Sequence, residues 1–206
     1  GLIDEVAVWD VALDSQHVTA LYNAASPLLL TGYQDLIGID LATTLQNNQT
    51  SSYVRIPFNV TSPDSFEWLK LQMHYDDAFV AWINGTEVAR SGITGPVEWN
   101  SAATTERSDA KALLASDFFV ANTPGLLAEG ENALAVQLLN FDPGATRSII
   151  LPELDAFQGQ RRQWLLEEQA PATAHVPTDG TLGTSWTGSH EPFYDTSWFH
   201  GKTGVG

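Results

Sequence analysis

Cysteine is absent from the 206 residues. That excludes a disulfide framework, a thiol nucleophile and a thiolate metal centre. Basic residues are scarce, 9 Lys+Arg against 25 Asp+Glu, for a net charge of −16. Nucleic acid and anionic membrane surfaces would repel such a chain, so neither is expected as a partner. No run approaches the roughly 18 apolar residues of a membrane helix. The stretch Pro27, Leu28, Leu29, Leu30 falls far short, and no membrane insertion is expected. A strand-like pattern already occupies the first residues, where a leader sequence would lie, so the chain reads as a piece of a longer protein. Its acidic residues are spread along the chain, which suits either a solubilising surface or ligation of a divalent cation.

The hydrophobic fraction of 43% is enough for a packed core. Residues 3–10 have the two-residue period of a strand, and Val18, Leu21 and Tyr22 form one stripe of a short helix over 14–24. Strands are expected at 53–60, where Val54, Ile56, Phe58 and Val60 alternate with Tyr53, Arg55, Pro57 and Asn59, and at 68–75. Pro57 lacks an N–H and places its strand at an edge or a bulge. Asn84-Gly85 between two β-prone runs over 79–90 is a hairpin signal. Residues 132–140 are apolar on both faces, as a central strand is. A last strand is expected near 148–154. The stretches 91–110, 121–131 and 141–147 carry turn and loop chemistry. Short strands separated by turns, with helix below ~15%, predict an all-β sandwich.

The catalytic templates fail on spacing or context. GTSWTG (183–188) is one residue too long for a nucleophile elbow. GKT (201–203) lacks the upstream glycine of a phosphate loop, having Thr196 there. The histidines 17, 74, 175, 190 and 200 show no zinc spacing, and His190 and His200, near Glu191 and Asp195, fit surface residues. Asp76-Asp77 and Glu167-Glu168 are adjacent pairs, whereas a glycosidase needs carboxylates facing each other from separate elements. No catalytic residue is therefore expected.

Two features suit binding. Asp76 and Asp77, at a strand end, have the oxygen chemistry of a Ca²⁺ site, and equally that of a turn cap. Trp99, Asn100, Asn140 and Asp142 combine an aromatic face with amides and a carboxylate, the groups that hold a pyranose ring and its hydroxyls. Trp82 is expected in the core, and Trp99 in either place.

Arg55, Phe58, Tyr75, Asp76, Asp77, Phe79, Ala81, Asn84, Gly85, Glu87, Val88, Ala89 and Arg90, followed by Gly130, Asn132, Leu134, Ala135, Val136 and Gln137, carry a family resemblance. They resemble the middle of a galactose-binding-like jelly roll found in large secreted bacterial proteins. Ala78 stands where the pattern has glycine, and ATRSII (145–150) departs from its usual ending. Residues 1–26 are similar to the C-terminal end of a concanavalin A-like, laminin-G-type domain. Residues 31–157 look like a jelly roll lacking its opening strands, and 163–206 like an opening segment. The family order is restored if 163–206 folds back onto 31–157 in permuted order, with Trp186 or Trp198 expected against the face carrying Leu69, Leu71 and Val136.

The resemblance implies an extracellular or cell-surface, non-catalytic role: glycan binding or adhesion beside neighbouring domains of the same polypeptide. A spacer without a ligand, and an accessory domain of a glycoside hydrolase, are the alternatives.

Overall fold

The computed structural model describes residues 36–145, 148–188 and 193–206. The expected strand at 3–10, the helix at 14–24 and the concanavalin-like 1–26 lie outside these residues. So do Thr146, Arg147, His190 and Glu191.

The structure is 44% strand and 8% helix. After a one-turn helix α1 (Ala42–Leu45) come β1 (Ser51–Val60), β2 (Trp68–Tyr75), β3 (Ala78–Ile83) and β4 (Thr86–Ser91). A second short helix, α2 (Asp109–Ala112), precedes β5 (Ser116–Ala121), β6 (Gly130–Leu139), β7 (Ile150–Gln158), β8 (Arg161–Leu166), β9 (Pro171–His175) and β10 (Phe199–Lys202). They form a six-stranded sheet ordered β10-β9-β1-β6-β3-β4 and a four-stranded sheet ordered β5-β2-β7-β8. Every strand pairing is antiparallel. The fold is a jelly-roll β-sandwich.

The core follows from the two-residue period. Val54, Ile56, Phe58 and Val60 of β1, Leu69, Leu71 and Met73 of β2, and Leu134, Val136 and Leu138 of β6 are buried in one cluster between the sheets. β6, apolar on both faces, lies centrally between β1 and β3. β1 is an interior strand, but β9 covers it only over Tyr53–Arg55. Pro57 lies beyond that cover and is exposed, so the edge that proline requires exists locally. The hairpin between β3 and β4 turns on Asn84 (φ 50°) and Gly85 (φ 83°), as expected for a turn with positive φ at both positions.

β8 extends the four-stranded sheet beside β7, while β9 and β10 extend the six-stranded sheet beside β1. Val205 bridges both Ile39 and Ile150. Residues 161–206 thus contribute three strands, divided between the two sheets. The sequence pattern predicts no strand at β5. It is an edge strand whose side chains alternate between half-buried and exposed, with Phe119 68% exposed.

Trp186 and Trp198 are buried, but not where expected. They pack on Tyr53 and Ala135, on the opposite face of the six-stranded sheet from Val136. The interior between the sheets is already filled by aliphatic side chains. The outer face of β1, β6 and β3 is apolar too and needs its own cover. The loop after β4 supplies part of it, with Ile93 and Ala103 packed on Ala78, Val80 and Leu139. The segment after β9 supplies the rest.

Candidate functional site

The family-like motif residues mostly build the scaffold. Arg55 is 1% exposed and donates to the carbonyls of Trp186 and Gly188. Its guanidinium lies 4.5 Å from the centre of the Phe193 ring. It thereby ties the segment after β9 to the sheet. Asn84 donates to the Leu126 carbonyl and the Asn132 side chain, and accepts from the Ala133 N–H. Glu87 and Arg90 form a bidentate pair with distances of 2.6 and 2.7 Å. The hydrogen bond and the arginine charge hold the Glu87 carboxyl below its usual range.

Asp76 and Asp77 are buried at the β2–β3 turn, and Asp77 has φ 57°. The two oxygens of Asp77 accept from the Arg107 N–H at 2.8 Å and the Phe141 N–H at 2.7 Å. Asp76 accepts from the Asp77 N–H at 3.0 Å. This is the geometry of a turn cap that also ties down two loops. No group of three metal-capable His, Cys, Asp or Glu side chains occurs among the described residues. Gly92 (φ 71°) packs against this turn, where a Cβ would come within 2.5 Å of the Asp77 carbonyl and 2.6 Å of the Ala78 Cβ. With a methyl at position 78, the opposing residue has no room for a side chain.

Removing the Asp77 carboxylate strands two N–H groups, each hydrogen bond to a charged group contributing about 1.5–3 kcal/mol. Asp77→Ala is expected to destabilise the fold by about 3 kcal/mol in denaturant melts, equally with Ca²⁺ or chelator present. A melting temperature that rises with Ca²⁺ in the unaltered protein would instead identify the pair as a calcium site.

Of the four sugar-binding candidates, Asn100, Asn140 and Asp142 are not among the residues lining the outer-face cleft. Asn140 is 2% exposed; its N–H donates to the Thr50 carbonyl, and its carbonyl accepts from Ala103. The exposed Asn100 offers its carbonyl to the Thr50 hydroxyl at 3.3 Å. Both thus anchor loops through Thr50. Asp142 accepts from the Gly144 N–H at 2.6 Å, a local turn. Trp99 differs. It is half-buried and lines a cleft of about 240 Å³ on the outer face of the six-stranded sheet.

That cleft lies between the loop after β4 and the segment after β9. Its walls include Tyr53, Trp82, Trp99 and Trp186, with Glu98, Gln137 and Thr184 supplying polar groups. Tyr53 and Trp186 stack at 4.0 Å between ring centres, and Trp82 meets Trp186 edge-on at 5.5 Å. Trp82, expected in the core, is half-buried on this outer face. The Gln137 amide donates to the Ser51 hydroxyl and the Glu98 carbonyl, both at 2.8 Å, which fixes the cleft floor to its rim. Burial, and secondarily the Glu98 charge, push the Tyr53 hydroxyl up to about 12. It stays protonated at neutral pH. The volume is below the ~300–1,000 Å³ of sites for drug-sized ligands and suits one small ring.

Sequence reasoning missed Tyr53, Trp82, Glu98, Gln137 and Trp186 as cleft residues. The signal available was Tyr53 and Arg55 on the outward positions of β1, and Ala135 and Gln137 on β6, whose second face is also apolar.

No family model and no curated protein matches the chain. Among solved structures, it is similar to part of an α-L-rhamnosidase from Streptomyces avermitilis complexed with L-rhamnose. Identity is 13% and the TM-score 0.52, over 75% of this chain and 12% of that one. It is also similar to a lectin from Pleurotus ostreatus in complex with GalNAc, at 12% identity and TM-score 0.50, over 81% of this chain and 40% of that one. The chain therefore spans less than half the length of each. Both share the β-sandwich fold.

Proposed function

We propose that the chain is a non-catalytic carbohydrate-binding module of a longer extracellular protein, and that it takes one sugar ring in the cleft walled by Trp82 and Trp99. The carrying observation is that cleft: half-buried indole rings beside a carboxylate and an amide on a rigid sheet face. Indole faces suit the apolar side of a pyranose, and the polar rim suits its hydroxyls. Glu98 is the one carboxylate among the described lining residues, whereas glycoside hydrolysis uses two placed across the bond. The shared fold with a lectin supports the binding role, and that with one part of a rhamnosidase supports an accessory role beside a catalytic domain.

Glycan-array screening of the whole chain, followed by calorimetry on the best ligand, tests this reading. Trp99→Ala is expected to weaken binding by about 30-fold, the effect of losing a central aromatic anchor. The melting temperature should change little, because the Trp99 ring is half-exposed. Glycan binding unaffected by Trp99→Ala would place the site elsewhere.

A further inference from the structure

The cleft has an unusual balance of charge and hydrogen-bonding groups. Its described lining holds four aromatic side chains and one acidic residue, and neither lysine nor arginine. Arg55, a cation on the same face of β1, is not among the lining residues; it is engaged by the Trp186 and Gly188 carbonyls and the Phe193 ring. The Gln137 amide nitrogen is committed to Ser51 and Glu98. What Gln137 has left to offer is its carbonyl oxygen, an acceptor. Glu98 is exposed at the rim, and its side chain contributes only acceptors when ionised. The cleft is therefore rich in π-faces, its donors are all neutral indole and hydroxyl groups, and it holds one carboxylate and no cation. An acidic sugar would meet no cation there, and a neutral one would leave the carboxylate without a charged partner. An ammonium group satisfies both features at once, since it is attracted to the face of tryptophan and to a carboxylate. Glu98 and Tyr53 line the same cleft, and the Glu98 charge acts on the Tyr53 hydroxyl second to burial.

We infer that the sugar held by this cleft is an amino sugar with a free amine, its ammonium lying against the indole faces of Trp82 and Trp99 and paired with Glu98. The inference rests on the reading of the cleft as the glycan site, and it narrows that reading to one class of sugar.

Calorimetry with glucosamine oligomers, N-acetylglucosamine oligomers and glucose oligomers of equal length tests it. Acetylation keeps the ring and removes the charge. The glucosamine oligomer is expected to bind about tenfold more tightly than either neutral oligomer, and Glu98→Gln to remove that preference. The backbone hydrogen bonds of Glu98, to Ser101 and Gln137, survive that change. The net charge of −16 attracts any polycation, so Glu129→Gln, an exposed site outside the cleft, serves as the equal-charge control. Equal losses in Glu98→Gln and Glu129→Gln would reduce the effect to the overall field and overturn the inference. Neutral oligomers that bind as tightly as the amine, with Trp99→Ala abolishing all binding, would also overturn it and leave the glycan site standing. Trp99→Ala without effect on any oligomer would remove the glycan site itself. Choline binding the cleft while the glucosamine oligomer does not would overturn the sugar identity in favour of another ammonium ligand.

Discussion

A chain ending at Gln160 is expected to lose cooperative folding altogether. The truncation removes β8, β9 and β10, and with them the buried side chains Leu166, Ala172, Ala174, Val176, Trp186, Trp198 and Val205. Each large apolar side chain among these contributes about 1.5–3 kcal/mol by burial. Together they approach the ~5–15 kcal/mol that separates a folded domain from its unfolded state. The loss goes beyond area. Without β8, β7 presents an unpaired edge, and without β9, so does β1. The outer face around Tyr53 and Ala135 would lie bare as well. Such edges and faces drive association. The truncated chain should therefore aggregate on expression and give no sigmoidal denaturant transition. A soluble, cooperatively melting protein would show that residues 161–206 decorate the sandwich rather than complete it.

The strands legible in the sequence were those that carry their own pattern. β1 and β2 alternate strictly between apolar and polar positions, β6 is apolar on both faces, and Asn84-Gly85 announces its hairpin with two positive-φ residues. β5, β8, β9 and β10 carry no such pattern. SDFFVA and RRQWLL have large apolar residues on the exposed side, and PATAH and FHGK are short and small or polar. These strands form because neighbouring strands offer unpaired hydrogen-bonding edges, which is tertiary context that no local window contains. Their existence followed only from the requirement that a jelly roll close its sheets.

The site was legible in part for a related reason. Trp99 stood out because its neighbours are polar, and it does line the cleft. Asn100, Asn140 and Asp142 had suitable chemistry, but amides and carboxylates in loops serve backbone N–H and hydroxyl groups at least as often as ligands. Here Asp142 makes such a local bond, while Asn140 ties two loops together through its own backbone. The cleft residues come instead from five separate stretches of chain, around 53, 82, 98, 137 and 186, that meet on one sheet face. The Asp76-Asp77 pair presented two readings of equal chemistry. Asp77 faces two backbone N–H donors, which favours the cap, and the melting temperature with and without Ca²⁺ decides between the two.

Trp186→Ala is expected to separate the scaffold of the cleft from its contact surface. Trp186 is 2% exposed, stacked on Tyr53 and met edge-on by Trp82. Truncating a buried tryptophan costs about 3–5 kcal/mol, because the cavity left behind collapses only in part. For a domain of this size that corresponds to a melting temperature lower by roughly 10 °C. Glycan affinity should fall as well, since Trp82 loses the ring it leans on and Tyr53 the ring it stacks with. Trp99→Ala should do the reverse, with affinity lost and stability kept. Trp186→Phe decides whether the stability loss comes from the aromatic stack. It retains a ring over Tyr53 and should recover more than half of the lost stability, whereas Trp186→Leu, apolar but unable to stack, should recover less. If Trp186→Ala leaves the melting temperature unchanged, the segment after β9 does not hold the outer face of the sheet closed. The cleft would then lack its second wall, and Trp99 alone would be left to bind.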